Sequence, residues 1–175
     1  MFLDPNKNIG QLGLREGMRV ADFGAGSGFN TRAASAYVGH TGKVYAIEVQ
    51  KSLVKKLEDD LREAKISNVS CIWGDIEKKG GTKLSDKSVD AIIISNVLFQ
   101  VPDKLGLIDE AKRILKDDGK VLLIDWQESF GNLGPTFDTV VSKSMAEDLF
   151  HRRGFKTLET ISTGPHHYGI IFIHE

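Results

Sequence analysis

The sequence has little of what marks secreted or membrane-spanning proteins. Among its 175 residues there is one cysteine, Cys71, which excludes a disulfide within the chain and favours the reducing cytoplasm. The apolar runs at residues 91–94 and 121–124 are far shorter than the ~20 residues of a membrane span. Residues 1–5 also lack the basic and then apolar character of a signal peptide. We therefore expect a cytoplasmic protein without a membrane partner.

Signals for nucleic-acid and metal binding are equally scarce. The 23 lysines and arginines are balanced by 24 acids, and a net charge of −1 disfavours nucleic acid as a partner. The five histidines are scattered and form no His-Glu-x-x-His motif, so the sequence predicts no bound metal. With 41% apolar and 27% charged residues, the composition is that of a globular protein. This length fits one domain, which we assign to residues 1–175.

Strand-like and helix-like segments alternate along the chain, which predicts a parallel sheet with helices on its faces. Seven strands are expected, at residues 19–23, 43–48, 69–74, 89–95, 120–125, 156–162 and 168–174. Local signals also place three helix ends. Gly39 is expected to close one helix as an αL cap, and Pro102 to open another as its first residue. Ser144 with Glu147 is expected to form a capping box.

The most informative segment is Val20–Thr31, in which an apolar run ends in Asp22 and glycines follow at positions 24, 26 and 28. A strand, a glycine-rich turn and a helix start form the cofactor crevice of open α/β sheets. A dinucleotide fingerprint would place its third glycine where this chain has Phe29. Asp22 would also repel a pyrophosphate, because both groups are anionic. The turn therefore favours a cationic ligand and disfavours a nicotinamide dinucleotide.

This pattern resembles motif I of the class I S-adenosylmethionine-dependent methyltransferases, acid-x-Gly-x-Gly-x-Gly, at Asp22, Gly24, Gly26 and Gly28. Residues 83–94 further resemble the UbiE-like, or type 11, branch of that family. The resemblance covers nearly the whole chain and implies a Rossmann-like α/β fold. Its seven-stranded sheet is mostly parallel with helices on both faces, and the last strand is antiparallel between strands five and six. The implied cofactor is S-adenosyl-L-methionine.

The same resemblance assigns roles to residues at the ends of strands two to four. Glu48 would accept hydrogen bonds from both ribose hydroxyls, and Val49 would cover the adenine. Asp75 would accept from the adenine amino group, with Ile76 supplying a backbone N–H and an apolar wall. Asn96 would contact the methionine part of the cofactor, although a plain cap or turn role is equally open. The complete predicted cofactor site is Asp22, Gly24, Ala25, Gly26, Gly28, Glu48, Val49, Asp75, Ile76 and Asn96.

The sequence does not identify the methyl acceptor, and we assign no catalytic residue. Candidates on the acceptor side are Gln100, Asp125, Trp126, Glu128, His166, His167 and Tyr168, with Phe29 and Phe99 as pocket walls. A histidine can act as general base for an oxygen or nitrogen acceptor, whereas adjacent histidines in a turn are commonly surface residues. The Asn/Asp-Pro-Pro-aromatic signature of DNA adenine and glutamine methyltransferases is absent at Asn96, which disfavours both substrates.

These features predict a methyltransferase that acts by direct displacement on a small-molecule acceptor. Methylation of a protein side chain such as lysine, or cofactor binding without catalysis, stay open as alternatives. About eighteen residues precede the first strand, so an extra helical lid is not expected there. A second subunit that supplied the lid would make the protein a homodimer. The single Cys71 disfavours arsenite as acceptor, because its methylation in this branch relies on several cysteines.

Overall fold

A computed structural model describes residues 4–130 and 134–174. Its strands are β1 Arg19–Phe23, β2 Lys43–Glu48, β3 Val69–Trp73, β4 Val89–Ser95, β5 Leu115–Trp126, β6 Phe155–Ile161 and β7 His167–His174. Its helices are α1 Pro5–Gly10, α2 Phe29–Val38, α3 Lys51–Glu63, α4 Lys104–Ile114 and α5 Lys143–His151, with a 3-10 turn at Phe137–Thr139. Strands and helices alternate from β1 to β3 and again from β4 to β5, whereas a loop joins β3 to β4.

The seven strands form one sheet in the order β3-β2-β1-β4-β5-β7-β6. The first five strands pair in parallel, whereas β7 runs antiparallel to both β5 and β6. The strand order reverses between β1 and β4, and such a reversal opens a crevice at the carboxyl ends of the strands. The predicted fold, including the position of the antiparallel last strand, is confirmed.

Helices cover both faces of the sheet. α1, α2 and α3 pack on one face, and α4 and α5 pack on the other. The central strand β4 is therefore buried on both sides, and Ala91–Ile94 are at most 2% exposed. Strands buried on both faces have continuous apolar sequences, which explains why the sequence predicts β4 correctly. Within the described ranges, no helix has the length and apolar character needed to cross a bilayer.

The residues before β1 form a short helix that the sequence analysis did not anticipate. Asp4 caps α1 by accepting a hydrogen bond from the Lys7 N–H at 3.2 Å. Ile9 and Leu12 are buried in the core on the α2 face. The segment therefore covers one face of the sheet.

Three of the predicted helix ends are wrong in detail. Gly39 ends α2 with φ 62° and ψ −171°, a positive-φ conformation that is not αL. Pro102 lies outside α4, because the Asp103 carboxylate caps that helix by accepting from the Gly106 N–H at 2.8 Å. The cap of α5 is Ser142, whose hydroxyl accepts from the Met145 N–H at 3.2 Å, whereas Ser144 lies inside the helix.

Strand β5 also starts earlier than predicted, at Leu115. Its pairing with β4 shifts between Val89 and Ala91, so residues 116–119 form an irregularity in the ladder. Gly119 therefore lies within the strand.

The cap of α5 is testable by two matched substitutions. Ser142→Ala should lower the free energy of unfolding by about 1 kcal/mol, because an N–H of the first turn loses its acceptor. Ser144→Ala should change it by less than about 0.5 kcal/mol, as expected for an exposed helical residue. Urea denaturation of both variants measures the difference, and an equal effect would contradict Ser142 as the cap.

Candidate functional site

The carboxyl ends of β1, β2, β3 and β4 surround a pocket of about 420 Å³. It is lined by Gly24, Gly26, Ile47, Glu48, Val49, Gln50, Leu53, Gly74, Asp75, Ile76, Glu77, Asn96, Val97, Gln100, Val101 and Pro102. Three of these residues are acids, and none is lysine, arginine or histidine. The described lining therefore favours a ligand that carries positive charge.

The turn between β1 and α2 requires glycine at two positions. Gly24 has φ +70°, and a Cβ there would lie 2.6 Å from Val97 Cγ2. Gly28 has φ +77°, and a Cβ there would collide with the side chain of Leu57. The turn is fixed to the end of β2, because the Gly24 and Ala25 N–H groups donate to the Ile47 carbonyl at 2.9 and 3.0 Å. The backbone thus forms a side-chain-free rim at the pocket.

Asp22 lies beneath this turn and is 2% exposed. One of its oxygens accepts a hydrogen bond from the Thr31 hydroxyl at 2.6 Å. Burial raises the pKa of Asp22 to about 6, and the nearby charge of Glu48 adds to the rise. A cation bound near Asp22 would relieve this unfavourable charge.

The Glu48 carboxylate joins two sides of the pocket. Its Oε2 accepts from the Gly26 N–H at 3.1 Å, and its Oε1 accepts from the Gln50 N–H at 2.9 Å. The side chain is 7% exposed. Each carboxylate oxygen can accept a second hydrogen bond, so Glu48 keeps capacity for ligand hydroxyls.

Asp75 begins the loop after β3. Its side chain accepts from the Glu77 N–H at 3.0 Å, and its own N–H donates to the Gly81 carbonyl at 3.2 Å. The loop is held from behind by Glu110, which accepts from the Gly80 N–H and from the N–H and hydroxyl of Thr82. The buried Glu110 thus fixes the edge of the pocket at Asp75.

Asn96 follows β4 in a left-handed conformation, with φ 57°. Its N–H donates to the Ile124 carbonyl at 2.9 Å, which ties it to β5. Its side-chain Oδ1 is buried and has no hydrogen-bond partner. A ligand N–H placed in the pocket would satisfy this acceptor.

Asp125 fixes the segment after Asn96. Its carboxylate is fully buried and accepts from the Phe99 N–H at 3.2 Å and the Trp126 N–H at 2.8 Å. Burial raises the pKa of Asp125 to about 6. Gln100 and Val101 follow Phe99 and line the pocket, whereas Asp125 does not. Asp125 therefore stabilises this part of the pocket wall without lining it.

The remaining acceptor-side candidates divide into separate groups. Trp126 and His167 form a buried ring pair, while His166 pairs with Glu128. Tyr168 is buried and donates its hydroxyl to the Val141 carbonyl at 3.0 Å. Phe29 and Phe99 lie outside the lining, and Phe29 is 70% exposed.

Seven of the ten predicted cofactor residues line the pocket, namely Gly24, Gly26, Glu48, Val49, Asp75, Ile76 and Asn96. Asp22, Ala25 and Gly28 lie outside the lining, in or beneath the turn. The sequence analysis missed the walls formed by Leu53, Val97 and Val101, which have only ordinary apolar helix and loop signals. In the described residues, no group of three or more histidine, cysteine or acidic side chains is placed to hold a metal.

Comparison with known proteins identifies this arrangement. The family profile described as "Methyltransferase domain" matches residues 14–153. A solved structure of a SAM-dependent methyltransferase from Aquifex aeolicus superposes with a TM-score of 0.89 at 29% identity, covering 98% of this chain and 89% of that one.

Two named relatives differ in their acceptors. The chain is 34% identical over 122 residues to the ubiquinone/menaquinone biosynthesis C-methyltransferase UbiE of Pseudomonas aeruginosa, covering 69% of this chain and 46% of the relative. It is 30% identical over 141 residues to the protein-L-isoaspartate O-methyltransferase of Thermosipho melanesiensis, covering 81% of this chain and 66% of the relative. The chain thus spans less than half the length of the UbiE relative.

The buried carboxyls predict a pH dependence of stability. Asp22 and Asp125 have a pKa of about 6 in the folded protein against an ordinary 3.8, so the folded state binds more protons between these values. Stability should therefore fall as pH rises from about 3.8 to about 6 and level off above that, by about 3 kcal/mol for each group, of which about 2 kcal/mol falls above pH 4.5.

Urea denaturation between pH 4.5 and 7.5 checks this. Asp22→Asn should reduce the decline, because the carboxyl that loses a proton is gone. The matched control Asp138→Asn removes an exposed carboxyl and should leave the decline unchanged. An identical pH profile for Asp22→Asn and the wild type would contradict the assignment.

Proposed function

Because this chain belongs to the methyltransferase-domain family, we propose that it is an enzyme that binds S-adenosyl-L-methionine and transfers its methyl group to a small-molecule acceptor. The observation that carries this proposal is the acidic pocket, whose described lining has three acids and no basic residue. S-adenosyl-L-methionine carries an ammonium and a sulfonium, and both are attracted to such a lining. The same lining opposes a pyrophosphate, and so a nicotinamide dinucleotide.

The residues present fit this cofactor. Glu48 has free lone pairs on both oxygens for the ribose hydroxyls. Asp75 and Ile76 lie at the next strand end, where the adenine would bind. The orphaned Oδ1 of Asn96 and the buried charge of Asp22 provide acceptors for the ammonium group.

When bound, S-adenosyl-L-methionine supplies a methyl group on a sulfonium leaving group. The protein would orient the bound cofactor. The glycine turn, Glu48 and the segment held by Asp125 would hold it in one orientation against the strand ends. Such alignment supplies up to about 7–11 kcal/mol in favourable intramolecular reactions. Among its described lining residues, the cofactor pocket contains no histidine or lysine that could act as a base.

Methylation of a protein side chain is the second candidate, and similarity to a protein-L-isoaspartate O-methyltransferase supports it. Incubation of a cell extract with methyl-tritiated S-adenosyl-L-methionine separates the two. Label in the low-molecular-mass fraction supports a small acceptor, and label in protein supports the alternative. Saturable cofactor binding with no release of S-adenosylhomocysteine would indicate a module without catalysis. A single domain, a cytoplasmic location and a homodimer stay predictions from the sequence.

The cofactor assignment is tested by Glu48→Gln. The amide retains the size of the side chain but turns one acceptor into a donor, so affinity for S-adenosyl-L-methionine should fall at least about tenfold, as expected for loss of a charged hydrogen bond. Isothermal titration calorimetry measures the dissociation constant, and circular dichroism confirms the fold. Glu58→Gln, on the exposed side of α3, is the control and should bind normally. Absence of binding by the folded wild type would overturn the proposal.

A further inference from the structure

Three buried side-chain atoms in the described residues have no hydrogen-bond partner: Asn96 Oδ1, Arg153 Nε and His167 Nε2. Asn96 lines the cofactor pocket, and Arg153 Nε lies 2.9 Å from a carboxylate oxygen of Asp109. Only His167 is left without an explanation. An unsatisfied buried polar group costs about 1–3 kcal/mol, so its presence indicates a role outside folding.

His167 lies at the same edge of the sheet as the cofactor pocket. It is the first residue of β7 and pairs with Trp126, the last residue of β5. On the other side of β5, the Ile124 carbonyl accepts from the Asn96 N–H at 2.9 Å. With strands spaced about 4.8 Å apart, His167 lies roughly 10 Å from the Asn96 backbone. One small molecule can span that distance.

Aromatic groups surround this histidine. The rings of Trp126 and His167 lie 4.1 Å apart, and both residues are at most 9% exposed. The backbone of Gly134 packs against the same indole. Beside the pair, His166 stacks on Phe130 at 3.7 Å. These rings offer an apolar wall for a flat acceptor.

Resting on the proposed function, we propose that the Trp126–His167 pair is the acceptor subsite and that His167 is the general base for an aromatic hydroxyl acceptor. The acceptor oxygen forms a bond to the methyl carbon. The carbon–sulfur bond breaks, and its electron pair stays on sulfur. The hydroxyl proton moves to the free imidazole nitrogen, so that the neutral histidine becomes an imidazolium.

The protonation state of His167 agrees with this role. Burial lowers its pKa, and the neighbouring His166 lowers it further. A neutral imidazole has one nitrogen free to accept a proton. The Glu128 carboxylate contacts His166, with 2.7 Å between Oε1 and Nδ1. Asp125 and Tyr168 are neighbours of Trp126 and His167 along their strands, so their side chains lie on the opposite face of the sheet. No carboxylate is therefore recorded in contact with His167 in the described residues.

Phenol is the probe, and binding is measured first. The chain has two tryptophans, so Trp73→Phe leaves Trp126 as the only indole. Phenol added to this variant with S-adenosylhomocysteine bound should quench the Trp126 fluorescence saturably. Adding His167→Phe should weaken phenol binding about fivefold or more, because one hydrogen bond is lost. Calorimetry should show that adding His167→Phe leaves the affinity for S-adenosylhomocysteine unchanged relative to Trp73→Phe alone.

Methyl transfer is then compared for two acceptors at mildly alkaline pH. Phenol is almost fully protonated there, whereas 4-nitrophenol is largely ionised and needs no base. His167→Phe should slow transfer to phenol about 100-fold or more, as for loss of a general base, but transfer to 4-nitrophenol less than about threefold. The control His40→Phe replaces an exposed histidine outside the site and should transfer to both acceptors at about the wild-type rate.

Two outcomes overturn this inference alone. One is the absence of a phenol-dependent change in Trp126 fluorescence while S-adenosylhomocysteine binds normally. The other is equal transfer to phenol by His167→Phe and the wild type. Failure of the wild type to bind S-adenosyl-L-methionine would instead overturn the proposed function.

Discussion

Glu48 accepts backbone hydrogen bonds from Gly26 and Gln50, and this bridge sets the geometry of the pocket. The two N–H groups belong to the glycine turn and to the residue before α3, which are separate in sequence. One buried carboxylate therefore fixes both walls at the end of β2. Since the same oxygens retain lone pairs, the group that builds the pocket is also able to bind a ligand in it.

Charge is the second organising feature. A net charge of −1 suggests a nearly neutral molecule, yet the described pocket lining has acids without bases. Two more carboxyls, Asp22 and Asp125, are buried around it at a cost in stability. A fold selected for stability alone would replace them with neutral residues. Asp125 holds the backbone at Phe99 and Trp126, whereas Asp22 places negative charge beneath the turn where we propose that a cation binds.

Much of the fold was predictable, because the inner strands are buried on both faces. β1, β2 and β4 have the expected bounds, since their apolar runs end abruptly at polar or glycine-rich turns. The start of α5 was not predictable, because Ser142 and Ser144 are chemically equivalent caps and only backbone geometry separates them. The Trp126–His167 contact depends on the register between β5 and β7. Sequence spacing does not contain this register, so neither residue could be paired in advance.

The strand order has a consequence for biosynthesis. β7 lies between β5 and β6, although it is the last of these seven strands to leave the ribosome. Until it emerges, β5 has an unpaired edge and β6 has no neighbour in the sheet. The nascent chain therefore carries an exposed apolar edge until β7 has left the ribosome, and the sheet is completed only then. Molecular chaperones that shield such edges would act on this protein during that interval.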